Sequence, residues 1–331
     1  MTTPRQRVTR LAPTPSGALH IGNARTFLAT WALARHEGWK IVLRIEDLDL
    51  GRVKPGAREA CLADLRWLGL EWDGRGSDGE PLVQSADLAP YRAALESLAA
   101  RGLTFRCDCS RSEIRNAASA PHAEDGETHY PPALRPPEPQ RRTIDDRSGD
   151  WLANHRLRVD PAAETVSDEL LGTHTFDPGL EAGDLVVWTK LGVPAYQLAV
   201  VIDDARQGVT DVVRGDDLLA SAARQQIIAR HLGLSHARWW HLPLVYGADG
   251  KRLAKRHGSH SLAALRESGV EAERVIGWCA WSLGFLPKRA PLSARDLVAL
   301  AATDSMREQA LVARSSPTVF TEADLNWLRG A

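Results

Sequence analysis

The chain has 331 residues, 44% hydrophobic and 25% charged, an ordinary globular composition long enough for about two domains with a well-buried core. Its 41 Lys and Arg against 42 Asp and Glu leave a formal net charge of −1, which excludes the strongly basic balance that would advertise nucleic acid but leaves room for a basic groove on one face. No apolar run approaches the ~20 residues of a membrane helix, the opening MTTPRQRVTR lacks a signal-peptide stretch, and four cysteines without a secretory context argue against a disulfide scaffold; the expectation is a cytoplasmic protein with no membrane segment.

In chain order, VTRLA (Val8 to Ala12) reads as a short strand. The stretch APTPSGALHIGNAR follows, in which Pro13, Pro15 and Gly17 shape a turn and Gly22 removes a side chain where the backbone must come close to something. ARTFLATWALARHEG carries Phe27, Leu28, Trp31, Ala32 and Leu33 at helical spacing, with Gly38 as a terminator. KIVLRIED is then a second strand with two carboxylates at its end. Strand, glycine-bearing loop, helix and strand make a βαβ unit, so the fold class is α/β with a doubly wound parallel sheet. Ligands of such sheets bind beyond the carboxyl ends of the strands, where helix N-terminal N–H groups favour an anion. His20 stands at that point, either as a phosphate donor or as the capping histidine of a tight turn.

HIGN (His20 to Asn23) is similar to the HIGH signature of class I aminoacyl-tRNA synthetases, and RLAPTPSGALHIGNAR resembles the version carried by the glutamyl branch. LRIEDLD (Leu43 to Asp49), PAYQLAVVIDDARQGVTDVVRGDDLL (Pro194 to Leu219) and GKRLAKR (Gly250 to Arg256) follow in that family's order. The resemblance implies a Rossmann-like nucleotide-binding core with an inserted acceptor-type subdomain and a helical C-terminal portion. It implies catalytic roles for His20 and Lys255, and ATP, with Mg2+, bound by His20, Gly22, Asn23 and Lys255. GKRLAKR resembles the family's mobile KMSKS-type loop, and Lys255 matches that motif's second lysine, with Lys251, Arg252 and Arg256 as accessory charges and Ala254 where the family usually has serine. Arg10, Ala12, Thr14, Glu46, Tyr196 and Arg214 match the family's glutamate pocket, Glu46 facing the α-amino group and Arg214 a substrate carboxylate. Alternatively, Glu46 and Arg214 pair with other strand-end charges. The aspartates of VIDD (Val201 to Asp204) either cap a strand or order the site, and receive no catalytic role.

Two cysteines in CDC (Cys107 to Cys109) precede a long stretch ending in HYPPALRPP. In relatives without an anticodon-binding domain, an insert with two such cysteines, a tyrosine and a later cysteine holds Zn2+. Cys107, Cys109 and Tyr130 match, but the last ligand falls on Leu134, and His122 or His129 would have to replace it off the family spacing. Cys61 and Cys279 sit in apolar helical patterns as core residues. The expected organisation is core residues 1–105, an insert over 106–182, core 183–245, and a region over 246–331 with the lysine loop and an amphipathic helix from Val270 to Phe285. Fewer than fifty residues follow Phe285, too few for an anticodon-reading domain. The catalytic half alone resembles the glutamyl-Q tRNA(Asp) synthetase family, which activates glutamate and transfers it to queuosine at the wobble position of tRNA(Asp). The partners implied are glutamate and that tRNA, with the protein a monomer; Arg111, Arg115, Arg141 and Arg142 of the insert are candidate phosphate contacts or a solvated loop. A shortened glutamyl-tRNA synthetase charging tRNA(Glu), a ligase acting on a small molecule and a non-enzymatic tRNA-binding module remain the alternatives.

Overall fold

The structure is a computed structural model that describes residues 6–74, 80–110, 112–114, 129–251, 253, 261–315 (311–315 by backbone alone) and 317–330. Its first βαβ unit arises from the apolar and β-branched runs around the glycine-bearing loop. β1 (Val8–Leu11) and β2 (Lys40–Ile45) pair in parallel, with Val8 opposite Lys40 through Leu11 opposite Leu43. The crossover is α1 (Ile21–His36), after which Gly38 turns the chain at φ +69°. Following α2 (Ala57–Trp67), β3 (Leu82–Val83) continues the parallel sheet beside β2.

After α3 (Ala89–Ala100), β4 (Thr104–Cys107), β5 (Asn154–Leu157) and β8 (Leu185–Trp188) form an antiparallel sheet in the order β4–β5–β8. Between β5 and β8, β6 (Glu164–Asp168) and β7 (Gly172–Phe176) make an antiparallel hairpin, followed by the single turn α4 (Pro178–Glu181). The second crossover run is α5 (Tyr196–Gln207), β9 (Asp211–Gly215), α6 (Leu219–Leu232) and β10 (Arg238–Leu242), with β9 and β10 parallel. β6 pairs with β10 through Asp168 and Trp239, so the hairpin, which falls inside the expected insert, is hydrogen-bonded to the core sheet. β8, expected in the resumed core, pairs with β5 instead.

β1 lies against β9. Val8 N donates to Thr210 Oγ1 at 2.9 Å, and Thr210 N donates to Val8 O at 2.8 Å. From this seam β2 and β3 extend to one side and β10, β6 and β7 to the other, which makes β1 and β9 the switch point where such sheets bind ligands. Leu11, Leu28, Ile41, Val212 and Trp240 share the main core, and a second cluster holds Leu157, Val187, Trp188 and Leu198. The C-terminal part runs through β11 (Val245–Gly247), α7 (Leu262–Glu267), α8 (Ala272–Ser282), α9 (Ala294–Leu300), α10 (Thr303–Ser315), β12 (Thr318–Phe320) and α11 (Glu322–Arg329), with β11 parallel to β12. Cys61 and Cys279 are buried, as their helical patterns imply. No helix among the described residues is long and apolar enough to cross a membrane.

Candidate active site

His20 is the N-cap of α1, extended at φ −118° and ψ 170°. Its Nδ1 accepts from the backbone N–H of Gly22 at 3.1 Å and of Asn23 at 3.3 Å, while Asn23 Oδ1 accepts from His20 N at 3.1 Å. This reciprocal cap satisfies N–H groups that a helix start leaves unpaired. It also sets the tautomer: Nδ1 offers its lone pair, so the ring proton lies on Nε2. The capping and phosphate-donor readings of His20 are therefore compatible, because they use opposite nitrogens. What comes close to Gly22 is the same ring, since an added Cβ would stand 3.1 Å from His20 Cε1 and Nδ1.

His20, Gly22 and Asn23 line a cavity of about 510 Å³, together with Arg10, Ala12, Thr14, Glu46, Tyr196 and Arg214. The flanks of the lysine loop reach this place: Leu253 lines the cavity, Ser261 forms a bridge with His20, and Leu262 N donates to Leu19 O at 2.8 Å. Lys255 itself, with Arg252, Ala254 and Arg256, lies outside the described residues; Lys251 is exposed on the loop's approach.

Beyond the ends of β1 and β2 the charges form a closed group. Arg44, fully buried, donates from Nη1 to Asp204 Oδ1 at 2.7 Å and from Nη2 to Glu46 Oε1 at 3.2 Å. Burial alone would lower Arg44, but Asp204 and Glu46 outweigh it and hold the guanidinium above its usual range. Arg10 donates to Val213 O at 3.1 Å and lies 3.7 Å from Asp204. Burial pushes the Glu46 carboxyl up, against the lowering effect of Arg44 and Arg10. Glu46 thus does pair with a strand charge, yet still faces the cavity. Asp204 sits on α5, so VIDD orders the site from a helix and caps no strand. Its neighbour Asp203 accepts from Tyr91 Oη at 2.8 Å and Gln84 Nε2 at 2.8 Å.

Arg214, at the end of β9 and only 4% exposed, is held differently. It donates to His241 Nε2 at 3.0 Å, Gln225 Oε1 at 2.9 Å and the Leu218 carbonyl at 3.0 Å, all uncharged acceptors. Its hydrogen bonds go to no carboxylate, and the charges of Asp204 and Asp217 reach it only from a distance, so Arg214 is not tied directly to a strand-end carboxylate. Such a group at a cavity wall is suited to a ligand's carboxylate. Arg25, which sequence reasoning passed over, also reaches the cavity; it donates to Pro243 O at 2.6 Å and Ser282 O at 3.2 Å, ties α1 to the end of α8, and is lowered by burial to about 10.

The cysteine insert does not assemble a closed metal site from what is described. Cys107 Sγ lies 3.8 Å from Tyr130 Oη, which donates to the Leu134 carbonyl at 2.9 Å. The fourth position therefore supplies a carbonyl already engaged by the tyrosine, where a structural zinc takes a thiolate or imidazole. Among the described residues no three His, Cys, Asp or Glu side chains group for a metal, and the zinc expected at Cys107, Cys109 and Tyr130 is not supported. His122, Arg111 and Arg115 lie outside the described residues. Arg142 is paired with Asp150 at 2.8 Å, while Arg141 is exposed.

Residues 6–327 match the family of class I tRNA synthetases for glutamate and glutamine, catalytic domain. A glutamyl-Q tRNA(Asp) synthetase of Symbiobacterium thermophilum is 43% identical over 87% of this chain and 90% of its own length. The enzyme of the same name from Nocardia farcinica is 45% identical over 88% of each chain. The crystal structure of a glutamate tRNA ligase from Elizabethkingia meningosepticum, in complex with its amino acid, shares the fold with a TM-score of 0.74 at 23% identity, over 98% of this chain and 69% of that one. With the βαβ core, the capped histidine and these relatives in agreement, the chain belongs to the class I glutamyl and glutaminyl tRNA synthetase family, in its glutamyl-Q tRNA(Asp) synthetase branch.

Proposed function

We propose that this protein activates glutamate with ATP and passes the glutamyl group to queuosine at the wobble position of tRNA(Asp). The observation that carries the reading is one cavity lined both by the capped start of α1 and by Arg10, Glu46, Tyr196 and Arg214. His20 Nε2–H and the positive end of α1 would receive the phosphates of ATP at Gly22 and Asn23, and Lys255 would neutralise the leaving pyrophosphate. Magnesium, implied by ATP chemistry, would offset phosphate charge when bound. Glu46 would hold the α-ammonium, with Ala12 and Thr14 forming the adjoining wall. The α-carboxylate must remain open to the α-phosphorus, so we assign the forked Arg214, with Arg10 beside it, to the side-chain carboxylate.

In the first step a carboxylate oxygen bonds to the α-phosphorus as pyrophosphate departs. In the second, an acceptor hydroxyl attacks the carbonyl carbon, its proton passes to the departing phosphate or to water, and AMP leaves with the bonding pair. These residues supply position and charge, not covalent intermediates. A second cavity of about 440 Å³ shares Thr14, Glu46, Arg52 and Tyr196 with the first and supports room for an acceptor base. Its wall includes Tyr196, 42% exposed, and Leu191, 62% exposed, surfaces on which an unstacked base can lie. We infer a monomer, since every residue assigned to the site lies on one chain, and a cytoplasmic one, since that is where its proposed tRNA substrate is found.

The test is glutamate-dependent ATP–pyrophosphate exchange by the purified protein, with and without tRNA, then transfer of labelled glutamate to queuosine-containing tRNA(Asp). Exchange without tRNA and transfer to that tRNA are expected. Exchange only with tRNA(Glu) would move the acceptor to a terminal ribose, and no exchange in either condition would overturn the proposal.

A further inference from the structure

The imidazole that orients Arg214 is itself anchored. His241 lies on β10 and is fully buried. Its Nε2 accepts from Arg214 Nε at 3.0 Å, and its Nδ1 lies 2.6 Å from Asp168 Oδ2. One ring nitrogen therefore accepts while the other donates, which only a neutral imidazole protonated on Nδ1 can do. Burial pushes the His241 ring down to about 4, against the raising effect of its bond to Asp168, consistent with that neutral form. Asp168, at the end of β6, is locked in turn: Oδ1 accepts from Leu170 N at 3.0 Å and Leu171 N at 2.8 Å, and Oδ2 from His241 N at 3.1 Å.

We propose that Asp168 and His241 are positioning residues that fix Arg214 as the receptor for a side-chain carboxylate and set the preference for glutamate over glutamine. This rests on the assignment of Arg214 made above. Arg44 shows the contrasting arrangement, a guanidinium oriented by carboxylates that neutralise it. At Arg214 the imidazole is a neutral spacer. It transmits the orientation of an anchored carboxylate and leaves the guanidinium charge to the ligand. The Trp239 ring, 4.8 Å from Arg214 Cζ, supports the cation without neutralising it. A carboxylate directly on Arg214 would hold it as firmly, but an incoming amide would then compete on nearly equal terms with an incoming anion.

The experiment compares His241→Met, which removes the acceptor, with His241→Gln, whose amide oxygen can accept from Arg214. Pyrophosphate exchange gives separate KM values for glutamate and ATP, and exchange with glutamine gives the discrimination ratio. His241→Met is expected to raise the glutamate KM about tenfold with the ATP KM unchanged, to lower discrimination by a similar factor, and to be largely rescued in His241→Gln. NMR of the 15N-histidine-labelled wild type, which needs no variant to fold, is expected to show His241 neutral with the proton on Nδ1 at neutral pH. A wild-type glutamate KM and discrimination in His241→Met would overturn the proposal. So would parallel rises in both KM values without rescue, or a ring protonated on Nε2. Absence of glutamate-dependent exchange in the wild type would instead refute the assignment of Arg214, and the NMR result would still decide the relay.

Discussion

Gly22 is the second residue of α1, where helix propensity alone favours alanine by up to about 1 kcal/mol. The structure implies a functional loss that this gain does not reveal. An added Cβ would lie 3.1 Å from His20 Cε1 and Nδ1, a few tenths of an ångström inside ordinary contact at about 3.5 Å. Gly22 is held in the helix, so the imidazole must yield. A shift of roughly 0.4 Å would stretch the Nδ1 contacts of 3.1 and 3.3 Å, the second past hydrogen-bond length, and weaken a cap worth about 1 kcal/mol. Gain and loss then cancel to within about 1 kcal/mol, and the Tm of Gly22→Ala should move by no more than about 4 °C. Nε2, at the far edge of the ring, is displaced by several tenths of an ångström. Since about 1 Å of misplacement costs on the order of 100-fold, the expected loss in ATP–pyrophosphate exchange is about 5- to 30-fold. The measurements are exchange kinetics at varied ATP and a thermal melt of the same preparation. Exchange within about twofold of wild type would refute the argument that Gly22 exists to admit the His20 ring. A Tm lowered by more than about 10 °C would equally refute it, by showing that the helix start had taken the strain.

Three further outcomes are expected. Gly277→Ala in α8 would bring a Cβ to 1.8 Å from the Ala290 carbonyl oxygen, so it should lower stability by about 2–3 kcal/mol despite better helix propensity; an unchanged or raised Tm would count against the packing described. Asp204→Asn removes the carboxylate shared by Arg10 and Arg44 and should cost about 3–5 kcal/mol in urea denaturation, with exchange lost; a cost under about 1 kcal/mol would show that the cluster does not depend on it. For His241 the folded ring titrates near 4 because of burial, opposed by Asp168 and reinforced by Arg214, whereas the unfolded ring titrates near about 6.5. The unfolded state therefore binds the extra proton, and stability falls as pH drops from about 6.5 towards 4, by up to roughly 3 kcal/mol. Urea midpoints of wild type and His241→Gln across that range should diverge, and parallel curves would refute the neutral buried ring.

The parts of the site legible in the sequence are those whose chemistry is local. His20, Gly22 and Asn23 cap one helix start, so spacing alone brings them together. β1 and β2 follow from their apolar and β-branched runs, α1 from helical spacing, and Gly38 from its place after the last helical turn. VIDD is harder to read, because Val200, Val201 and Ile202 suggest a strand while tertiary burial keeps them in a helix that turns Asp204 towards Arg10 and Arg44. The residues that hold the site lie far apart in sequence: Asp204 is 160 positions from Arg44, and Asp168 is 73 from His241. Asp168 also enters from a hairpin within the expected insert, and pattern gives no sign that this hairpin joins the core sheet.

The deeper obstacle is that a sequence does not show which buried arginine has charge left for a ligand. Arg25, Arg44 and Arg214 are all buried at one cavity or beside it, and they differ only in their acceptors. Arg44 is neutralised by Asp204 and Glu46. Arg25 binds the Ser282 carbonyl in the last turn of α8, where the helix dipole is negative and offsets part of its charge. Arg214 binds the Leu218 carbonyl at the start of α6, the positive end of that helix, and its other acceptors are an amide and a neutral imidazole. Asp204 and Asp217 attract it only from a distance, too weakly to offset burial, and no helix end compensates it. Its burial is sustained by orientation and by the Trp239 face, and the charge that would make burial costly is the charge a dicarboxylic substrate supplies.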